Sequence, residues 1–188
     1  MIRKVLIVAA IVLSLIAIVI NTTSGQLFLF DRAAKLVMAQ SYEHGEDSLR
    51  VMVCGSSSPL PAEGRAQACI AIITPEHFFV IDSGAGSTKN LRAALLPMNK
   101  LDGVLLTHFH SDHIAELYEV NLASWVAGRP ESMKVYGPKG VKKITSGINS
   151  TYQMDVQYRT EHHGSEFLPA KLGKLQPVRL DVGEALTI

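Results

Sequence analysis

Seven consecutive residues, Thr107-His108-Phe109-His110-Ser111-Asp112-His113, gather three imidazoles and a carboxylate. Imidazole nitrogen and carboxylate oxygen are ligands that Zn²⁺ accepts, and Fe or Mn less selectively. His108 and His110 alternate, so in an extended loop they point the same way. Asp112 and His113 follow a short step later, where a helix is expected to begin. The spacing suits two adjacent metal ions, one on His108 and His110, the other on Asp112 and His113. A lone histidine would read as a surface or core residue. Four donor residues at fixed spacing read as metal chemistry.

The elements around this loop must hold it. Leu101 to Leu106 reads as a short buried strand running into Thr107, and Ile114 to Tyr118 starts an apolar helical period. Further strands are expected at Leu49–Cys54, Cys69–Thr74, Phe78–Ile81, Met133–Tyr136, Val156–Thr160 and Val178–Val182, with a hairpin turn at Thr74-Pro75-Glu76-His77. Helices are expected at Ser87–Leu96, His113–Ala127 and Val141–Thr151, with Gly128-Arg129-Pro130 as a stop. Strands first and strand–helix alternation afterwards predict an α/β sheet with helices packed on it. Val80-Ile81-Asp82-Ser83-Gly84 places a carboxylate at a strand end before small residues that permit a tight turn. His162 and His163, on an expected strand, would point to opposite faces, so one of them at most could face a site.

The metal loop resembles the H-x-H-x-D-H signature of the metallo-β-lactamase superfamily, and strand, metal loop and helix follow in that superfamily's order. Cys54-Gly55-Ser56-Ser57-Ser58-Pro59 with Arg65, and Val135-Tyr136-Gly137-Pro138-Lys139-Gly140, resemble the ribonuclease Z and arylsulfatase-like branch, although Cys54 stands where that branch usually has Gly. The resemblance covers about Leu49 to Ile148. It implies an αβ/βα sandwich, of which the N-terminal half is present, and a site that binds two Zn²⁺, with Fe or Mn as alternatives. It further implies His108, His110, Asp112 and His113 as ligands, Asp112 also orienting the attacking hydroxide or taking its proton, and Asp82 as a support behind the ligands. The later ligands the superfamily uses, a His, a bridging carboxylate and a last His, have no clear counterpart: only His162 and His163 follow His113, and Asp155 and Asp181 lie in unsuitable contexts. The domain is therefore expected to be incomplete at its C-terminus, where Leu186-Thr187-Ile188 reads as mid-strand.

The chain has 188 residues and a net charge of +1, which gives no basic footprint for nucleic acid. Arg3 and Lys4 precede an apolar run, Val5 to Ile20, broken only by Ser14. No small-residue cleavage site follows, so an uncleaved membrane anchor is favoured over a cleaved signal. The basic start predicts a cytoplasmic N-terminus and an exported domain, in the bacterial periplasm. The expected divisions are 1–22 anchor or signal, 23–46 connector with a short helix from Leu27 to Gln40, and 47–188 the metallo-β-lactamase-like domain. Cys54 and Cys69 form no C-x-x-C motif; pairing in an oxidising compartment and separate burial are both open.

The expected function is a membrane-anchored, exported, dinuclear metal-dependent hydrolase. Its expected substrate is a phosphodiester, a sulfate ester or a similar small ester, attacked by a hydroxide activated on the metals. A ribonuclease Z-like tRNA 3′ endonuclease is one alternative. A non-catalytic metal-binding module on the same scaffold is another.

Overall fold

The structure is a computed structural model that describes residues 2–38, 48–60, 62–181 and 183. The polar stretch Tyr42–Asp47 and the terminal Leu186-Thr187-Ile188 lie outside the described residues. The chain divides into two compact units, Met1–Ser41 and Tyr42–Ile188.

The first unit holds helix α1, Ile2–Asn21, and helix α2, Thr23–Met38. Helix α2 starts four residues earlier than the short helix expected from Leu27. The Asn21 side chain closes α1 by donating to the Ala17 carbonyl at 2.8 Å, and the Thr22 hydroxyl accepts from Gly25 N–H at 3.2 Å. These polar caps explain the break between two otherwise continuous helical stretches. Among the described residues no single helix is long and apolar enough to cross a membrane. Ile7–Asn21 and Thr23–Leu29, bent by 88°, satisfy length and composition only as a pair.

The second unit is built on one six-stranded sheet in the order β1 to β6. The strands are β1 Arg50–Gly55, β2 Cys69–Ile73, β3 Phe78–Ile81, β4 Leu101–Leu105, β5 Lys134–Gly137 and β6 Gln176–Arg179. Strands β1, β2 and β3 pair antiparallel, while β3 to β6 run parallel. The parallel steps are crossed by helices: α3 Ser87–Ala93, then α4 Ser111–Ile114 with α5 Leu117–Val126, then α6 Val141–Thr151 with α7 Gln153–His163. Parallel neighbours need such crossovers, because a tight turn cannot return the chain in the same direction.

Period-two alternation sorts the sheet into two faces. Register aligns Met52, Ala71, Val80, Val104, Val135 and Pro177 on one face. Ala71, Val80, Val104 and Val135 are fully buried and share one core with Leu91 of α3, Leu117 and Val120 of α5, and Val141 of α6. On the other face Val51 and Val53 are 62% and 64% exposed, and Ile70, Ile72, Ile81 and Leu105 are half-buried.

Two expected elements are corrected. Val156–Thr160 is not a strand but the middle of α7, so His162 and His163 close a helix. Their rings meet edge to face with centroids 4.7 Å apart, rather than pointing to opposite faces. Val, Tyr and Thr at alternate positions suggest β structure, but burial of Val156 beside Tyr118, Trp125 and Leu168 overrides that preference. The i,i+4 contacts Asp155–Arg159 and Gln157–Glu161 add to it. The helix expected from His113 to Ala127 is divided between Ile114 and Leu117.

Sequence patterning gives no hint of Arg129's role beyond a helix stop. The side chain is buried and donates to Ser124 Oγ, Asn121 Oδ1 and the Glu131 and Leu172 carbonyls at 2.6–3.1 Å. It ties the end of α5 to the turn that enters β6. Burial lowers its guanidinium to about 10. Cys54 and Cys69 form a disulfide at the adjoining ends of β1 and β2.

Candidate metal centre

Three parallel strands end side by side, and the segments that follow them meet. Asp82 follows β3, Thr107–His113 follows β4, and Pro138–Gly140 follows β5. Asp82 sits in the left-handed region at φ 57, which Asp tolerates better than most residues. This turns its carboxylate back under the loop, where it is 4% exposed. Its Oδ1 accepts from Thr107 N–H at 2.9 Å, and its Oδ2 accepts from the Thr107 hydroxyl at 2.8 Å. The same Oδ2 lies 2.7 Å from His113 Nδ1. One carboxylate therefore fixes both ends of the loop.

The four expected ligands stand together at the strand ends, with two short donor distances among them. His108 Nε2 and His110 Nδ1 are 3.0 Å apart. Two nitrogens on one tetrahedral zinc stand about 3.3 Å apart at ordinary bond lengths, so this pair is spaced for a single ion. His113 Nε2 lies 3.4 Å from Asp112 Oδ2. With Nδ1 held on Asp82, Nε2 is the nitrogen left to coordinate, an arrangement that fixes both tautomer and ring orientation. The His108 ring stacks obliquely on His113, centroids 4.0 Å apart, and meets His110 at 4.5 Å. Asp112 is buried, and its Oδ1 has no hydrogen-bond partner. A buried carboxylate oxygen left unpaired is costly in free energy, and a cation would satisfy it. The donors thus fit divalent metal as two pairs. Among the described residues no three His, Cys, Asp or Glu residues are arranged to hold an ion together.

The remaining candidates stand elsewhere. Asp155 lies on α7, where Tyr118 O–H donates to it at 2.6 Å and Arg159 Nε at 2.8 Å. Burial alone would raise its carboxyl, but these two bonds and the Arg159 charge outweigh that and hold it below its ordinary value. Burial, the Asp155 hydrogen bond and the Asp155 charge push the Tyr118 phenol up. Asp181 pairs with Arg179. His162 and His163 are exposed at the end of α7; burial, His162 and Arg159 hold His163 below its ordinary value.

Sequence reasoning missed the parts that grip the loop from its sides. Gly84 passes so close that a Cβ there would stand 2.1 Å from the Asp112 carbonyl and 2.5 Å from Gln67 Cβ. Gln67 exchanges bonds with Ala85 through its amide N–H and its side-chain Oε1. Phe109, between the paired histidines, packs on Gly140, where a Cβ would meet its ring at 2.9 Å. Gly140 stands at φ 117, so the Gly-Pro-Lys-Gly turn is shaped to take that ring. The legible signal was the glycine placement, not the contacts.

Comparison with known proteins decides the family. The metallo-beta-lactamase superfamily model matches residues 62–176. The chain belongs to the metallo-beta-lactamase superfamily. Ribonuclease Z of Mycobacterium bovis is 33% identical over 124 residues, covering 64% of this chain and 44% of the relative. Ribonuclease Z of Mycobacterium marinum is 34% identical over 118 residues, covering 61% and 42%. These matches support the ribonuclease Z side of the superfamily. The chain spans less than half the length of these curated relatives. The crystal structure of the metallo-beta-lactamase fold protein YhfI from Bacillus subtilis superposes with a TM-score of 0.54 at 21% identity, over 76% of this chain and 49% of that one. At that identity the likeness shows the fold alone.

Proposed function

We propose that the chain carries the metal loop of a metal-dependent hydrolase that cleaves phosphodiester bonds in small molecules. The observation that carries this reading is the pairing of His108 with His110 and of Asp112 with His113 over the buried Asp82. Bound divalent ions would supply Lewis-acid charge and make a nucleophile of water at neutral pH. The chain's own residues perform the rest. His108 and His110 offer one pair of nitrogens. Asp112 offers a buried, unpaired oxygen, suited to hold a cation and to orient the attacking water. Asp82 keeps the His113 proton on Nδ1. Donors beyond the two pairs are needed to close either ligand set.

Sulfate esters and other small esters are the next substrate classes. A ribonuclease Z-like action on RNA is a second reading, favoured by the likeness to ribonuclease Z sequences. The near-neutral charge of the chain weighs against it, because RNA affinity rests largely on phosphate neutralisation. A metal-binding module without turnover is the third. We further propose that α1 and the start of α2, which reach the length and apolarity of a span only as a bent pair, anchor the chain in a membrane, with Arg3 and Lys4 on the cytoplasmic side and the second unit in the periplasm.

The test is metal analysis of the purified full chain in detergent, with hydrolysis assays on bis-aryl phosphate, aryl sulfate and cephalosporin chromogens. Zinc should bind weakly, and His110→Ala should reduce the zinc bound, leaving only the Asp112 and His113 pair. Any turnover on these 188 residues should favour the phosphate. Zinc content unchanged by His110→Ala would remove the metal centre from this loop.

A further inference from the structure

Helix α3 begins behind Gly86, which has no side chain to accept the amides of the first turn. The acceptor arrives from 30 residues further along the chain. Glu116 Oε1 accepts from Gly86 N–H at 2.5 Å, and Oε2 accepts from Thr88 N–H at 2.8 Å. The Ser87 hydroxyl is 3.5 Å from Oε2. Main-chain bonds reinforce the link: Glu116 N–H donates to the Ser83 carbonyl at 2.8 Å, and Ser83 N–H donates to the His113 carbonyl at 2.7 Å. The turn that carries Asp82 and the segment that follows the metal ligands are thus stitched together in both directions.

The division between α4 and α5 follows from this stitch. A continuous helix would commit the Glu116 N–H to the carbonyl of residue 112. Here Glu116 leaves helical geometry, at φ −108 and ψ 21, and gives that N–H to Ser83. An α-helical hydrogen bond is given up for one that joins the two loops.

We propose that Glu116 is a positioning residue for the metal loop: by clamping residues 83–88 it fixes the Asp82 carboxylate and, through it, the coordinating face of His113. The proposal rests on the metal-centre reading above. Asp82 holds a left-handed backbone conformation, which persists only where the surroundings over-determine it. The residues that follow it are held by the charge-assisted bonds of Glu116, stronger than neutral ones. Loss of that clamp frees the turn, and the 2.7 Å contact behind His113 loses its fixed partner.

The experiment uses the full chain in detergent, as wild type, Glu116→Gln and Glu119→Gln, the last an exposed control on α5. Zinc affinity is read by competition with a chromogenic chelator, and amide exchange at Ser83 and Thr107 is read in zinc-free protein. Glutamine matches the volume of Glu116 but turns an NH₂ toward one of the two N–H donors, so simple packing is rescued and clamping is not. Glu116→Gln should weaken zinc binding about 10-fold or more, as changes behind a ligand do, and should speed exchange at both amides. Glu119→Gln should do neither. Wild-type zinc affinity in Glu116→Gln overturns the proposal, even with a lower melting temperature, because Glu116 would then be a helix cap and nothing more. If the wild type binds no zinc, the metal-centre reading falls and exchange alone decides: faster exchange at Ser83 and Thr107 in Glu116→Gln upholds the clamp, and unchanged exchange overturns it.

Discussion

Replacing Asp82 by Asn separates the carboxylate's charge from its shape. Asn tolerates the left-handed backbone at this position, so the turn survives. Its oxygen still accepts from Thr107 N–H, the 2.9 Å bond. Its NH₂ replaces Oδ2, which serves the Thr107 hydroxyl and His113 Nδ1. The hydroxyl can reverse and accept, whereas His113 can accept only by moving its proton to Nε2. One hydrogen bond to a charged group is lost outright, which costs about 2 kcal/mol of stability. The larger effect is on the metal. A protonated Nε2 is no ligand, so zinc affinity should fall about 10- to 100-fold, equivalent to roughly 1.4–2.8 kcal/mol. Asp82→Ala also leaves Thr107 N–H without its acceptor and puts a β-carbon without a polar group in the left-handed region, so it should cost stability nearer about 4 kcal/mol. Urea unfolding and chelator competition on the same preparations give both quantities. If Asp82→Asn keeps wild-type zinc affinity while Asp82→Ala is merely unstable, the carboxylate serves the turn alone and the tautomer argument is wrong.

Two further outcomes are expected. Removing the Cys54–Cys69 disulfide, which spans a sequence separation of 15, by the double change Cys54→Ala and Cys69→Ala should cost about 3 kcal/mol in urea unfolding; an unchanged midpoint would mean that the link adds nothing to a turn already closed. Asp155 is held below its ordinary value of 3.8, so its stabilising contribution is complete above that pH and is lost as pH falls through the lower folded value. The stability gap between wild type and Asp155→Asn should therefore be constant near neutrality and shrink in acid, and a gap that widens in acid would contradict the arrangement of Tyr118 and Arg159 about that carboxylate.

The legible parts of the molecule were those written in local pattern. The apolar runs at Cys69, Phe78 and Leu101 gave strands whose observed ends differ by no more than one residue. His108, His110, Asp112 and His113 stood out because ligand chemistry restricts residue types, and Asp82 because of the family resemblance; the structure brings these five side chains together. What escaped depends on partners remote in sequence. Glu116 looks like a surface position of an amphipathic helix until Gly86 and Thr88, about 30 residues earlier, meet its carboxylate. Arg129 looked like part of a helix stop, but its acceptors include Leu172, 43 residues away. Val156 to Thr160 misled because β-branched and aromatic residues at alternate positions imitate a strand, while the cluster with Trp125 and Leu168 decides for a helix.

The position of the metal loop follows from the direction of the strands. In an α/β sheet the carboxyl ends of parallel strands carry the site, because the turns there lead into helices and leave the strand ends open. Asp82, Thr107 and Pro138 each come just after a parallel strand, and β3, β4 and β5 are consecutive neighbours. The hairpin from β2 to β3 closes through Thr74 and His77, before β3 begins and so away from its carboxyl end. The row Ala71, Val80, Val104 and Val135 gives these turns a fully buried floor, and dense packing there resists small displacements. The polar contacts around Asp82 then have only short segments left to fix, at most a few residues from a packed strand. That is why one carboxylate can orient His113, and why a second, from Glu116, suffices to hold the turn beside it. The opposite face has no such cover at its β1 edge, where Val51 and Val53 stand exposed. The rigidity that serves the metal loop therefore comes from the helical side of the sheet, through Leu91, Leu117, Val120 and Val141.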